Sequence, residues 1–125
     1  MEERRRYIRL DTRLKIHYRV LQHSPAPAST ETLDISGGGI RIFLNEPLKV
    51  GTPLEVEIFL PNDTKPIRCQ GKLVWVEEFS IYQGAKEERK ELEGGIEFTQ
   101  ITPEEQDRII QYVILGYTHQ GEAAL

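Results

Sequence analysis

Hydrophobic and polar residues alternate over positions 14–20, where Leu14, Ile16, Tyr18 and Val20 interleave with Lys15, His17 and Arg19. A period of two sends one set to each face of an extended chain, so a half-buried strand is predicted directly after a run of arginines. The pattern returns in "PLEVEIFLP", with Leu54, Val56, Ile58 and Leu60 set against Glu55 and Glu57. Shorter candidates are "TLDI", "GIRIFL" and "GIEF", and "IRCQGKLVWVEE" reads as a long strand in which Gly71 marks a bulge. "QHSPAPAST" and "PNDTKP" are loops by composition, and the charged stretch "YQGAKEERKELEGG" is expected to be a solvated connection. The period changes once, in "ITPEEQDRIIQYVILGY". There Thr102 and Glu105 have capping-box spacing, Pro103 sits at the first helical position and Gly116 is placed to end a helix of about residues 103–115. Its apolar stripe of Ile109, Ile110, Val113 and Ile114 must cover something, one end of the sheet or a partner's helix. Six or seven short strands and a terminal helix predict a mainly β fold, a small antiparallel β-barrel with a helical lid.

Composition narrows the class. A chain of 125 residues, 38% hydrophobic and 29% charged, fits one ordinary globular domain. We divide it into a flexible basic arm at 1–13, the barrel and its helix at 14–118 and a tail at 119–125. The N-terminus lacks the apolar core of a secretory signal, and no stretch approaches a membrane span, so a cytoplasmic location is expected. Cys69 has no second cysteine to pair with, and His17, His23 and His119 lack metal-ligand spacing, so neither a disulfide nor a metal site is expected. The net charge of −4 hides a division: residues 1–19 hold seven basic and three acidic side chains, whereas the rest hold nine and seventeen. A basic arm on an acidic body suits a small anion better than a nucleic acid, which needs positive charge spread over a face of the domain.

Catalytic patterns are missing. Ser36 lies in "DISGG" rather than G-x-S-x-G, and "GGGIRI" lacks both nucleotide-loop fingerprints and leads into a strand. The carboxylate pairs Glu77–Glu78 and Glu87–Glu88 read as soluble surface before they read as acid–base machinery. No enzyme activity and no cofactor are expected.

Two motifs remain. "RRRYIRLDTR" carries an R-x-x-x-R pair at Arg5 and Arg9, with Arg4, Arg6 and Arg13 as neighbours; alone it would be a solvated tail. Arg9 and Arg13 also satisfy the spacing, but the pair with an aromatic between them, Arg5 and Arg9, is preferred. "DISGGG" carries D-x-S-x-x-G at Asp34, Ser36 and Gly39; alone it would be a turn. On an extended backbone Asp34 and Ser36 point to one face, and glycines at 37, 38 and 39 permit positive φ and leave room for a ligand.

In this order, with 24 residues between Arg9 and Asp34, the two motifs resemble those of the PilZ family of cyclic di-GMP receptors, and the resemblance extends through "LVWVEE", "GIEF" and the helix. It implies that Arg5, Arg9, Asp34, Ser36 and Gly39 bind cyclic di-GMP and that the arm closes over a ligand resting on the barrel. Secondary candidates are Arg4, Arg6, Gly38, Arg41 and Trp75. Arg41 shares its strand face with Gly39 and can reach a phosphate or pair with a glutamate; Trp75 can flank a base or join the core. An arginine at position 4 implies a ligand bound as a stacked dimer. The chemistry agrees: arginine's planar fork engages phosphate or the O6/N7 edge of guanine, and a carboxylate accepts from guanine N1–H and N2–H, which adenine does not offer. With no output domain in view, the signal is expected to pass to a downstream protein. Rival readings are a small RNA-binding barrel with a basic tail, which needs aromatics on a basic sheet face, a split-barrel flavin enzyme, and a family member that binds only proteins.

Overall fold

The computed structural model describes residues 7–21 and 27–123, with side chains through Tyr117. Seven strands and one helix follow in the order β1 (Leu10–Asp11), β2 (Lys15–Val20), β3 (Ala28–Ser36), β4 (Gly39–Leu44), β5 (Pro53–Ile58), β6 (Ile67–Gln83), β7 (Lys86–Gln100) and α1 (Pro103–Ala123). All pairings are antiparallel and run β3-β2-β5-β6-β7-β4; β4 also pairs with β3, which closes the ring. The predicted small β-barrel with a C-terminal helix is therefore the observed architecture.

The alternating segments make the barrel wall. Ile16, Tyr18 and Val20 of β2, Leu54, Val56 and Ile58 of β5, and Ile40, Ile42 and Leu44 of β4 all point into one core. Cys69 is buried there too; burial and, secondarily, the nearby Glu105 push its thiol up to about 12, so it stays neutral and a poor nucleophile. The register of β6 shifts at Gly71 as its sequence predicted, and a Cβ there would come within 2.6 Å of the Ile96 side chain and 2.7 Å of the Glu97 carbonyl oxygen.

Three boundaries differ from expectation. β3 starts at Ala28, within the stretch read as a loop, because Ala28–Glu31 pair with β2 before Thr32–Ser36 pair with β4. The charged stretch after Tyr82 is not a loop but the far half of a hairpin, in which Lys86–Glu91 of β7 pair with β6. Its sequence lacks apolar alternation because no core lies beneath it; the β6 ladder alone holds it extended. Finally, α1 does not stop at Gly116 but runs to Ala123. Gly116 is an interior contact, where a Cβ would meet Leu10 Cδ2 at 2.5 Å.

Helix α1 begins as predicted, with the Thr102 hydroxyl accepting from Glu105 N–H at 3.1 Å. Ile109 and Val113 are fully buried in the core, which settles the stripe's role at these positions: it seals the barrel beside β1 and β3. Residues 7–13, the described part of the expected arm, lie against the barrel. Thr32, with no exposed surface, accepts from Leu14 N–H at 2.9 Å and donates to the Thr12 carbonyl at 2.6 Å, fixing the link between β1 and β2.

Candidate functional site at the β3–β4 turn

The site is built where β3 turns into β4. Ile35 faces the core, so its neighbours Asp34 and Ser36 face outward, as their spacing predicted. Both are nonetheless buried, at 6% and 8% exposure, because other side chains cover the outer wall at this point. Register explains the cover. Arg41 sits directly opposite Asp34 on β4, and the pairing of Leu10 with Ile35 and Asp11 with Asp34 delivers Arg9 from the other side. Arg41 Nε lies 3.0 Å from Asp34 Oδ2, and Arg9 Nη1 lies 3.8 Å from the same oxygen. Arg41 also reaches Glu93 on β7, Nη1 to Oε1 at 3.7 Å. The glutamate expected across from Arg41 is thus Glu93, and the same guanidinium also reaches Asp34. Its Nε is buried and, despite the short distance to Asp34, has no aligned hydrogen bond.

The glycines act through space rather than through φ. None of Gly37, Gly38 and Gly39 adopts the left-handed conformation that a glycine permits. A Cβ on Gly39 would run into the carbonyl oxygen of Ile96, and one on Gly37 would come within 2.8 Å of the Tyr7 ring and of Ile110. The turn is held by Gly38 N–H donating to Ser36 Oγ at 3.1 Å, by Ser36 Oγ donating to the Gly39 carbonyl at 3.4 Å, and by Phe98 N–H donating to the Gly38 carbonyl at 3.0 Å. Gln106 of α1 adds a clamp, its Nε2 donating to the Gly37 carbonyl at 2.8 Å and to Tyr7 Oη at 3.2 Å.

Above the turn lies an open cavity of about 520 Å³, which Arg9, Asp34, Ser36, Gly38, Gly39, Arg41 and Trp75 all line. A second of about 540 Å³ adjoins it and shares Arg9, Asp34, Arg41 and Trp75. Trp75 is not in the core. A register shift between Leu73 and Trp75 turns the indole onto the outer wall, where it fills the space left by the missing side chain of Gly95.

Of the residues read from the sequence, the structure therefore gathers Arg9, Asp34, Ser36, Gly38, Gly39, Arg41 and Trp75 into one place; Arg4, Arg5 and Arg6 lie outside the described residues. Sequence reading missed Tyr7 and Gln106 as parts of the site. Tyr7 was visible as the aromatic inside the arginine motif, whereas nothing in the helix marks Gln106 apart from its neighbours. The chemistry on offer is recognition: guanidinium groups for phosphate or guanine, a carboxylate for paired N–H donors and an indole for stacking. Among the described residues, no cluster of three or more His, Cys, Asp or Glu could hold a metal.

The architecture is thus a closed six-stranded antiparallel barrel whose β3–β4 glycine turn and Arg9 line one cavity. The PilZ domain family model matches residues 3–115, and the chain belongs to that family. Solved structures agree on the fold. The PilZ domain of Escherichia coli YcgR with c-di-GMP superposes at a TM-score of 0.75 with 18% identity, covering 98% of each chain. The Bacillus subtilis inhibitor of motility MotI/DgrA gives 0.73 with 21% identity over 94% of this chain and 53% of its own. The K. pneumonia MrkH–c-di-GMP complex gives 0.72 with 17% identity over 99% and 57%. The chain thus spans about half the length of the MotI and MrkH chains. No curated protein sequence matches it.

Proposed function

We propose that this PilZ domain is a non-catalytic receptor for cyclic di-GMP, located in the cytoplasm. The observation that carries the reading is the convergence of Arg9, Asp34, Ser36, Arg41 and Trp75 on one open cavity that the glycines of the turn also line. In this reading Asp34 accepts from guanine N1–H and N2–H, and Arg9, with Arg5, engages a phosphate or the O6/N7 edge. Arg9 must therefore rearrange, because it now approaches the same Asp34 oxygen that a guanine would use. Arg41 remains opposite Asp34 and keeps the carboxylate oriented. Trp75 supplies a flat apolar surface beside the base.

The arm at 1–13 then closes over bound ligand, and the change of the arm's position is what a downstream protein reads. The adjoining second cavity gives room for a stacked pair of ligands, with Arg4 and Arg6 adding positive charge. An RNA-binding role is less well supported, since Glu55, Glu57 and Glu97 place acids on the outer wall.

Calorimetric titration of the full chain with cyclic di-GMP, GTP and cyclic di-AMP tests the reading. Saturable binding of cyclic di-GMP alone is expected, and Arg9→Ala should weaken it by about 1–3 kcal/mol, roughly tenfold or more. Equal affinity for cyclic di-AMP would sink it.

A further inference from the structure

The β6–β7 hairpin continues past the strands that flank it. β5 pairs with β6 only over Ile67–Lys72, and β4 pairs with β7 only over Leu92–Glu97. Among the described residues, Glu77–Gln83 therefore pair with no strand but β7, and Lys86–Glu91 with no strand but β6. Each strand offers a free edge of backbone N–H and C=O groups, a template for a further strand.

The two edges are built differently. Along β7, Lys86, Glu87, Glu88, Arg89 and Lys90 are all charged and exposed, and Glu88 is an unpaired extra residue between the Ile81–Arg89 and Tyr82–Glu87 pairs. Charge and a bulge are the two devices that protect an edge from association. β6 has neither over Phe79–Gln83. That run is uncharged and regular, rich in residues that favour strands, and it leaves Phe79 and Tyr82 exposed at 38% and 59%.

We propose that the β6 edge pairs antiparallel with the β6 edge of a second copy of this chain, about a two-fold axis at Ser80. In a symmetric antiparallel pair one residue faces its own copy. With Ser80 in that place, all seven residues Glu77–Gln83 find partners: Phe79 opposite Ile81 of the second copy, Glu78 opposite Tyr82 and Glu77 opposite Gln83. No like charges meet. An axis at Glu78 sets two carboxylates face to face, one at Phe79 sets Glu77 against Ile81, and one at Ile81 sets Phe79 against Gln83. Only the Ser80 axis gives both Phe79 and Ile81 an apolar partner. Residues directly opposite share a face, so both Phe79–Ile81 pairs fall on one side of the joined four-stranded ribbon. The contact is separate from the glycine turn and does not depend on which ligand binds there.

Ser80→Cys is the direct probe. Opposite residues in an antiparallel pair stand about 4.5–5.5 Å apart at Cα, within the disulfide range, and the native Cys69 is buried. Oxidised S80C is expected to run as a covalent dimer, while Lys90→Cys on the β7 edge stays uncrosslinked. Sedimentation of the wild-type chain should show a dimer. The double variants F79E/I81E and F79K/I81K, checked for folding by circular dichroism, should each be monomeric, and a mixture should restore the dimer because each acidic position then faces a basic one. A wild-type monomer at all concentrations, cross-linking through K90C in place of S80C, or a mixture that stays monomeric would overturn the proposal and leave the edge to another partner or to solvent.

Discussion

Two hairpins of this barrel turn on a two-residue loop that begins with glycine, and the two glycines are there for opposite reasons. Gly84, between β6 and β7, has φ +64° and nothing within 4 Å of where a Cβ would sit. Positive φ at the first of its two loop residues alone is the mark of a type II′ turn, which matches the twist of the flanking strands. Gly37, between β3 and β4, has no left-handed φ and no free space: the Tyr7 ring and Ile110 lie 2.8 Å from a notional Cβ. One glycine serves the backbone, the other serves its neighbours. The crowding at Gly37, with Gly39 against the Ile96 carbonyl, means that the β3–β4 turn is a packed element, whereas the β6–β7 turn is only a change of direction.

That contrast can be broken at named positions. The largest effect is expected from Gly39→Ala, whose methyl group has only backbone to displace; a loss of about 3 kcal/mol in urea denaturation is predicted, with ligand binding abolished. Next is Asp34→Ala, which removes the acceptor between Arg9 and Arg41 and should weaken cyclic di-GMP binding by about 2 kcal/mol, near thirtyfold in calorimetry. Gln106→Ala takes away the helix's hold on Gly37 and Tyr7 and should cost about 1.5 kcal/mol in thermal unfolding, which tests whether the turn is braced from outside. Gly84→Ala should cost about 1 kcal/mol through backbone strain alone, and Gly84→Asn less, both with ligand affinity unchanged. If G84A impaired binding as much as G39A, the distinction between the two turns would be lost.

The barrel was legible where each strand has a core beneath it. β2 and β5 alternate cleanly in the sequence because their inward residues are buried and their outward ones are at least partly solvated. The outer half of β7 was not legible, since Lys86–Glu91 has no buried face and takes its conformation from β6. The helix start was legible from Thr102, but its end was not: Gly116 looks like a stop signal in the sequence, and only the contact with Leu10 shows that it is a fitting residue within the helix. At the site, Arg9, Asp34, Ser36 and Gly39 could be read because they fall in two spaced motifs. Arg41 was ambiguous because its strand position is compatible with a phosphate or a glutamate, and the structure supplies the glutamate, Glu93, together with Asp34. Gln106 could not be read, for its contact with Gly37 spans 69 residues and has no local signature.

The central claim is that ligand rests on the packed glycine turn. Two-dimensional amide NMR of the full chain during titration with cyclic di-GMP tests it most directly, because glycine resonances are well separated and the Trp75 indole N–H reports on the same wall. The account predicts large shifts at Gly37, Gly38, Gly39 and the Trp75 indole, with Gly51 and Gly84 unmoved. Saturable binding that leaves Gly37–Gly39 unshifted, or that moves Gly84 as far, would contradict it.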